Sequence, residues 1–198
     1  MPDLKFEPWE PLYNIEVAWF EIEKEDVFHM KELYKLIHDW FILNKFVDLE
    51  ENGENIETYY FQRDLPSGNS EHHIWWRAHK IPKENNYYKY YLKLDYQTLN
   101  MGKAEVTHKG VKMKTNMGDV VIRVRSFIML DYKKEWRNHP ILSAFHSYFI
   151  KRFYKKQIDF LKEDLWVQTY NLNDVIKDYL KLKTSKEMPK PFHPQGGL

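Results

Sequence analysis

Residues 87–132 have the sequence YYKYYLKLDYQTLNMGKAEVTHKGVKMKTNMGDVVIRVRSFIMLDY, and this stretch decides the fold. Apolar side chains recur at every second position from Tyr88 to Tyr96 and again from Val120 to Val124. Because the side chains of a strand point alternately to its two faces, this period predicts strands with one face on a core. The stretch therefore predicts antiparallel β-structure rather than helix.

Short segments rich in Gly, Asn and Pro separate the candidate strands. The segments at 100–102 (NMG) and 116–119 (NMGD) have the composition of hairpin turns. Short connections between successive strands predict antiparallel pairing. We expect about seven strands, at residues 15–22, 56–63, 72–81, 87–99, 103–108, 111–115 and 120–132.

Amphipathic helices are predicted on both sides of these strands in the sequence. In residues 25–43 apolar side chains recur every three or four positions, with acidic residues at the front, as the helix macrodipole favours. A longer helix is predicted to begin near His139. Its apolar stripe consists of phenylalanines at four-residue steps, which are Phe145, Phe149 and Phe153. Asparagines within 171–173 are expected to interrupt this helix, and a short helix is expected at 174–182.

The 198 residues predict one α+β domain at 1–183 and a Pro- and Gly-rich tail at 184–198. No stretch approaches the roughly 18 apolar residues of a membrane helix. The first residues, MPDLKFEPWEP, lack the basic and apolar segments of a signal peptide, and the chain has no cysteine. We therefore expect a cytoplasmic protein without disulfides, thiol catalysis or cysteine-ligated metals.

Charge is distributed unevenly along the chain. Residues 1–70 carry 6 Lys and Arg against 16 Asp and Glu, whereas residues 71–198 carry 24 against 13. This division is expected either to join an acidic edge to a basic one, within one molecule or in a homodimer, or to present a basic surface to an anion.

The order of one strand, a helix, six antiparallel strands and a long C-terminal helix resembles the helix-grip fold of the START and Bet v 1-like superfamily. The resemblance covers about residues 12–168 and rests on element order. It implies an antiparallel sheet of about seven strands curved around the terminal helix, with an apolar ligand between them. Some members of that superfamily are catalysts and others bind proteins. Another α+β sheet with helices on one face is the alternative fold.

The first functional hypothesis is a non-catalytic protein that binds an apolar or amphipathic small molecule, such as a lipid, between the sheet and the terminal helix. The phenylalanine stripe is equally typical of a packed helix-to-sheet seam, and a ligand needs a gap in that packing. The predicted walls are large or apolar side chains of both layers, which are Trp76, Tyr90, Leu92, Ile122, Val124, Phe145 and Phe149.

The second hypothesis is an RNA- or ribosome-associated factor. The opposite strand positions carry cations and aromatic rings, a combination that binds phosphates and stacks on bases. Solvated Lys and Arg on a sheet surface explain the same pattern without a partner. The predicted contact residues are Trp75, Arg77, Lys89, Tyr91, Lys93, Arg123 and Arg125. A protein-interaction module that forms a homo-oligomer is the third hypothesis.

The sequence predicts no catalytic, metal or cofactor site. His72 and His73 point to opposite faces of a strand, and no HExxH, GxGxxG, GxxxxGK[ST] or GxSxG motif is present. Asp131, Glu135 and His139 lie near the junction between strands and helix, where a helix cap and solvated charges explain them as well as acid–base chemistry does.

Overall fold

The computed structural model describes residues 13–48, 55–108 and 111–182. The expected tail at 184–198 lies outside the described residues. The described chain is an α+β fold with one antiparallel sheet and three α-helices, the last of them long. A sheet followed by a long C-terminal helix is compatible with helix-grip topology.

Five strands form the described sheet, in the order β1-β5-β4-β3-β2 with every neighbouring pair antiparallel. In the order of the chain, the strands and α-helices are β1 Asn14–Phe28, α1 Met30–Leu43, β2 Glu57–Asp64, β3 Ser70–Lys80, β4 Tyr88–His108, β5 Val111–Leu130, α2 Leu142–Arg152 and α3 Lys155–Tyr179.

The prediction of about seven strands is wrong for the described sheet, because two predicted pairs are each one long strand. β4 and β5 span 21 and 20 residues and pair along their whole length. The segments expected to be turns face each other, since Leu99 pairs with Asp119 and Gly102 with Met117. The extra residue in β4 forms a β-bulge rather than a reversal of the chain.

Both β-bulges and tight turns place residues in backbone conformations with positive φ. This shared conformation explains why the segments at 100–102 and 116–119 were predicted as turns. Asn100 has φ of +50° and Gly118 has φ of +157°. Both positions thus use conformations that Asn and Gly adopt more easily than other residues. Gly and Asn in a strand pattern therefore indicate a bulge as readily as a hairpin.

The first helix begins later than the sequence predicted. Residues 25–28 continue β1 and pair with β5, so α1 starts at Met30 after His29, whose ring accepts a hydrogen bond from the Glu32 N–H at 3.4 Å. The acidic residues expected in the first turn of this helix instead lie at the end of a strand. The apolar face of α1 is buried as predicted from its spacing, through Leu33, Ile37, Trp40 and Phe41.

The predicted long helix is divided at a different place. It breaks at Phe153 and Tyr154, between α2 and α3, and runs without interruption through residues 171–173. Asn171 accepts a hydrogen bond from the Trp40 indole at 2.8 Å, and Asn173 is buried. Their side chains are thus engaged in tertiary packing within the helix.

The core lies between the inner face of the sheet and the helices α1 and α3. Aromatic rings fill much of it: the Trp76 ring meets Tyr34 and Phe41 edge to face at centroid distances of 4.8 and 5.8 Å. On α3 the buried side chains recur at helical spacing, which fixes the face turned to the sheet: Ile158, Leu161, Leu165, Leu172 and Ile176. All of them belong to one continuous cluster with the inner strand residues.

Replacing Gly118 by Ala should lower the free energy of unfolding by about 1–3 kcal/mol. A Cβ at this position would lie 2.9 Å from the backbone oxygens of both Leu99 and Asn100, which the bulge holds in place. Urea unfolding at equilibrium measures the loss.

Gly102→Ala is the matched control. Its Cβ would meet the side chain of Asn69, which can move, instead of backbone. Equal destabilisation by the two substitutions would show that the bulge does not depend on close backbone approach at Gly118.

Candidate functional site

Five of the seven predicted wall residues are fully buried in the core. Trp76, Leu94 and Val124 pair across three strands, and Tyr90 donates a hydrogen bond from its hydroxyl to Asp164 of α3 at 2.8 Å. The five predicted wall residues on the strands have no solvent-exposed surface: Trp76, Tyr90, Leu92, Ile122 and Val124. They lie together on the inner face, where side chains from both layers pack around them.

The two predicted wall residues on the helix lie elsewhere. On α2, Phe145 is 59% exposed, and Phe149 packs against Trp136 and Tyr154 at centroid distances of 4.7 and 5.4 Å. The structure thus separates them from the strand residues with which they were grouped. The inward face of α2 instead carries His146, one position from Phe145.

A pocket of about 770 Å³ lies at the end of the sheet, where α1 and β3 both terminate. Its walls come from the end of α1 and the segment after it, and from the end of β3 and the segment after it. A bridge between Val47 and His79 holds these two parts side by side. The lining residues are Leu43, Asn44, Lys45, Val47, His79, Lys80, Ile81, Pro82 and Lys83. None of these nine residues is acidic.

Lys80 is the most enclosed cation of the pocket. Its ammonium donates a hydrogen bond to the Gln168 side chain of α3 at 2.9 Å and lies 5.4 Å from the centre of the Phe46 ring. Burial lowers the pKa of Lys80, the Asp164 carboxylate acts in the opposite direction, and Lys45 adds to the lowering. An anion bound beside this ammonium would offset that lowering.

The other two lysines stand at the mouth of the pocket. Lys45 and Lys83 are exposed and adopt left-handed backbone conformations, with φ of +61° and +56°. The Lys83 ammonium lies 5.5 Å from the centre of the Phe160 ring. Leu43, which is 81% exposed, adds an apolar surface to the same rim. The pocket can thus receive a molecule with one anionic end and one apolar part.

The residues predicted to contact nucleic acid lie on the outer face of the sheet, but they differ in solvent exposure and in their ion pairs. Arg77 is buried and pairs with Asp95 at 2.8 Å, while Arg123 pairs with Glu21. Tyr91 is 2% exposed and packs with Phe127. The remaining members are half-buried or exposed, and these are Trp75, Lys89, Lys93 and Arg125.

Charges on this face are arranged in cross-strand rows. Arg77 pairs in register with Lys93, and Lys93 with Arg125, so three cations lie side by side on neighbouring strands. Like charges directly opposite each other destabilise a sheet. The Arg77 guanidinium is partly compensated by Asp95 and by the carbonyl oxygens of Trp76 and Leu94.

The junction between β5 and α2 contains a histidine that the sequence did not single out. His146 is fully buried, its Nε2 lies 2.8 Å from the Tyr87 hydroxyl, and its ring stacks on Tyr13 at 4.7 Å. Burial lowers the pKa of His146, the Asp131 carboxylate acts in the opposite direction, and the charge of Arg137 adds to the lowering. In the sequence, the signal for its burial was its place on the helix one turn after Leu142 and one turn before Ile150. Because it is polar, it was left out of the predicted stripe.

Asp131, Glu135 and His139 were considered for acid–base chemistry at this junction. Two of them, Asp131 and His139, bind backbone N–H groups. The Asp131 carboxylate accepts hydrogen bonds from the backbone N–H groups of Trp136 and Arg137 at 3.0 and 2.8 Å. His139 accepts from the N–H groups of Ile141 and Leu142 before α2. These contacts order a turn and a helix start, as the cap interpretation of the sequence proposed.

Comparison with known proteins assigns no family: no protein-family model matches the chain, and neither does any curated protein. Within residues 13–48, 55–108 and 111–182, no cluster of three or more His, Asp and Glu side chains could hold a metal ion. None of the described helices is both long and apolar enough to cross a membrane.

The free energy of unfolding should fall as the pH is lowered from 7.5 to 5.5, partly through His146. Its folded pKa lies below the ordinary value of 6.5, so below that pH the unfolded chain binds more protons than the native one. Urea unfolding across this pH range should show a shallower decrease for His146→Gln than for the original chain.

His72, whose pKa burial also lowers, keeps some pH dependence in that variant. His38→Gln, at a half-buried position on α1, is the control. An unchanged slope in His146→Gln would contradict a neutral, buried imidazole at this site.

Proposed function

We propose that the chain is a non-catalytic binding protein for a small amphipathic anion, held in the pocket at the end of β3. One observation carries the proposal: of the described residues that line the pocket, three are lysines and none is acidic, and apolar side chains lie among them. A volume of about 770 Å³ lies within the roughly 300–1,000 Å³ typical of small-molecule sites.

The division of polarity in the pocket supports an amphipathic ligand rather than a simple anion. Lys80 is held between Gln168 and the Phe46 ring, so its ammonium is positioned before any ligand arrives. Leu43, Val47 and Ile81 offer apolar contact nearby. A carboxylate or phosphate would be bound by the ammonium groups, and its alkyl or aryl part would cover these side chains.

This proposal retains the class of ligand predicted from the sequence and changes its place. The strand residues predicted as walls have zero exposure and contact one another and the helices. Ligand entry there would need the helix layer to separate from the sheet. The pocket at the end of β3 needs no such separation, because Lys45 and Lys83 at its rim are already exposed.

Isothermal titration calorimetry with dodecanoate tests the proposal, with dodecan-1-ol and inorganic phosphate as partial ligands. Dodecanoate should bind more tightly than either, because it alone combines charge and chain. Lys80→Gln should weaken dodecanoate binding about tenfold, as expected for the loss of one charge-assisted contact.

Lys89→Gln, on the outer face of β4, removes the same charge away from the pocket and should leave binding unchanged. Equal binding of dodecanoate and dodecan-1-ol, or equal weakening by the two substitutions, would refute the proposed site.

Lys93 and Arg125, which lie opposite each other on the outer face, favour RNA binding as a second candidate function. Single-stranded RNA would then bind with strong salt dependence, because neutralised phosphates release counterions. The double substitution Lys93→Gln and Arg125→Gln should weaken that binding and reduce its salt dependence in fluorescence anisotropy. Lys80→Gln should leave it unchanged, so the two functions can be separated.

A further inference from the structure

The strand β2 forms one edge of the described sheet and pairs there with β3 alone. Its middle consists of three consecutive aromatic residues, Tyr59, Tyr60 and Phe61, which are 37%, 49% and 43% exposed. An edge strand presents unpaired backbone N–H and C=O groups along its outer side. Among the described strands, none pairs with the outer side of β2, and this edge carries apolar surface on both faces of the sheet.

Features that normally protect an edge are weak in β2. It contains neither Lys nor Pro, its charged residues Glu57, Arg63 and Asp64 lie towards its two ends, and its bulge lies between Glu57 and Tyr59. From Tyr59 to Asp64 the strand pairs regularly with β3. A regular run of six residues is therefore open to a further strand.

We propose that a second copy of this chain pairs with β2 through its own β2, antiparallel and centred on Phe61, so that two sheets become one. This interaction surface is independent of the proposed ligand pocket, because none of the nine pocket residues belongs to β2.

Symmetry restricts the register of such a dimer. A two-fold axis perpendicular to the sheet keeps the outer face of one copy continuous with the outer face of the other. A shift of the pairing by one residue would place inner-face side chains of one copy opposite outer-face side chains of the other. The axis must therefore lie midway between the two copies of a single residue, which then face each other. Centring the pair on Tyr60 would place the bulged residue Thr58 opposite Gln62. Centring it on Phe61 uses only the regular part of the strand.

The register centred on Phe61 also matches side chains in chemistry. On the outer face the two Phe61 rings meet. Each Tyr59 faces Arg63 of the second copy, whose guanidinium pairs with Glu71 of β3 and can also make a cation–π contact with the Tyr59 ring. On the inner side each Tyr60 faces Gln62 of the second copy, and its hydroxyl already donates to Gln62 within the strand at 3.3 Å. No pair of like charges is opposed among these five positions.

The opposite edge of the sheet is a poor competitor. β1 exposes Trp19, but it carries five acidic residues and one lysine within fifteen positions. Two β1 strands side by side would oppose these acids, and β1 beside β2 would add the carboxylates of Glu57 and Asp64 to them. Repulsion of this kind favours a closed dimer through β2 over an open chain of sheets.

Because the chain has no cysteine, one introduced thiol reports the contact directly. Phe61→Cys should form a disulfide-linked dimer on mild oxidation. Residues opposite each other across antiparallel strands have Cβ atoms about 4.5–5.5 Å apart, so a small shift of the strands brings them to the roughly 3.5–4.5 Å of a disulfide. Tyr60→Cys should link much less. Phe153→Cys, at a position 69% exposed on α2, is the control for random collision.

Light scattering coupled to gel filtration should give a mass near twice 24.3 kDa for the original chain at high micromolar concentration. Phe61→Lys and Phe61→Glu should each be monomeric, and an equimolar mixture of the two should recover the dimer, which also shows that both variants fold.

A monomeric original chain at this concentration would overturn the proposal, as would equal linking by Phe61→Cys and Phe153→Cys. Preferential linking through Tyr60→Cys would overturn the register. Dodecanoate binding by Phe61→Lys is the separate readout of the pocket, so failure of the dimer and failure of the proposed function are distinguishable.

Discussion

Burial of the inner face of β4 and β5 is the constraint on which the other elements depend. These two strands pair with each other over about twenty residues, and Tyr90, Leu92, Ile122 and Val124 on their inner face are fully enclosed. A single sheet cannot cover its own face, so helices must lie over it. The helices α1 and α3 meet this requirement, because their buried apolar side chains belong to the same cluster as the inner strand residues.

Much of the sheet could be predicted from the sequence, because alternation with a period of two is a direct consequence of strand geometry. The inner positions of β3, β4 and β5 follow that alternation. Asn100 and Gly118 were misinterpreted because a bulge and a hairpin draw on the same backbone conformations. The helix phase at α2 was shifted for a different reason: His146 is polar in sequence but buried in the fold, where Tyr87 and Tyr13 surround it.

The lysine-lined pocket could not be found in the sequence. Lys45 follows a helix, while Lys80 and Lys83 lie at and beyond the end of a strand more than thirty residues later, and a sequence pattern contains no distance between them. The three lysines come together because Val47 pairs with His79. Neither of these two residues belongs to a sequence motif that would indicate such a bridge. Lysines are also common in surface segments, so the composition of the sequence does not distinguish these three from other exposed lysines.

The bulge divides the β4 and β5 ribbon into parts of unequal stability. Beyond it, residues 104–108 and 111–115 pair only with each other among the described strands, and exposed Val106 and Met113 contribute little burial. Opening this tip breaks a few hydrogen bonds and exposes little apolar surface, whereas opening the other end of the ribbon requires the core to separate. Amide hydrogens at the tip should therefore exchange with solvent through local fluctuations, at a free energy well below that of global unfolding, and independently of the helices.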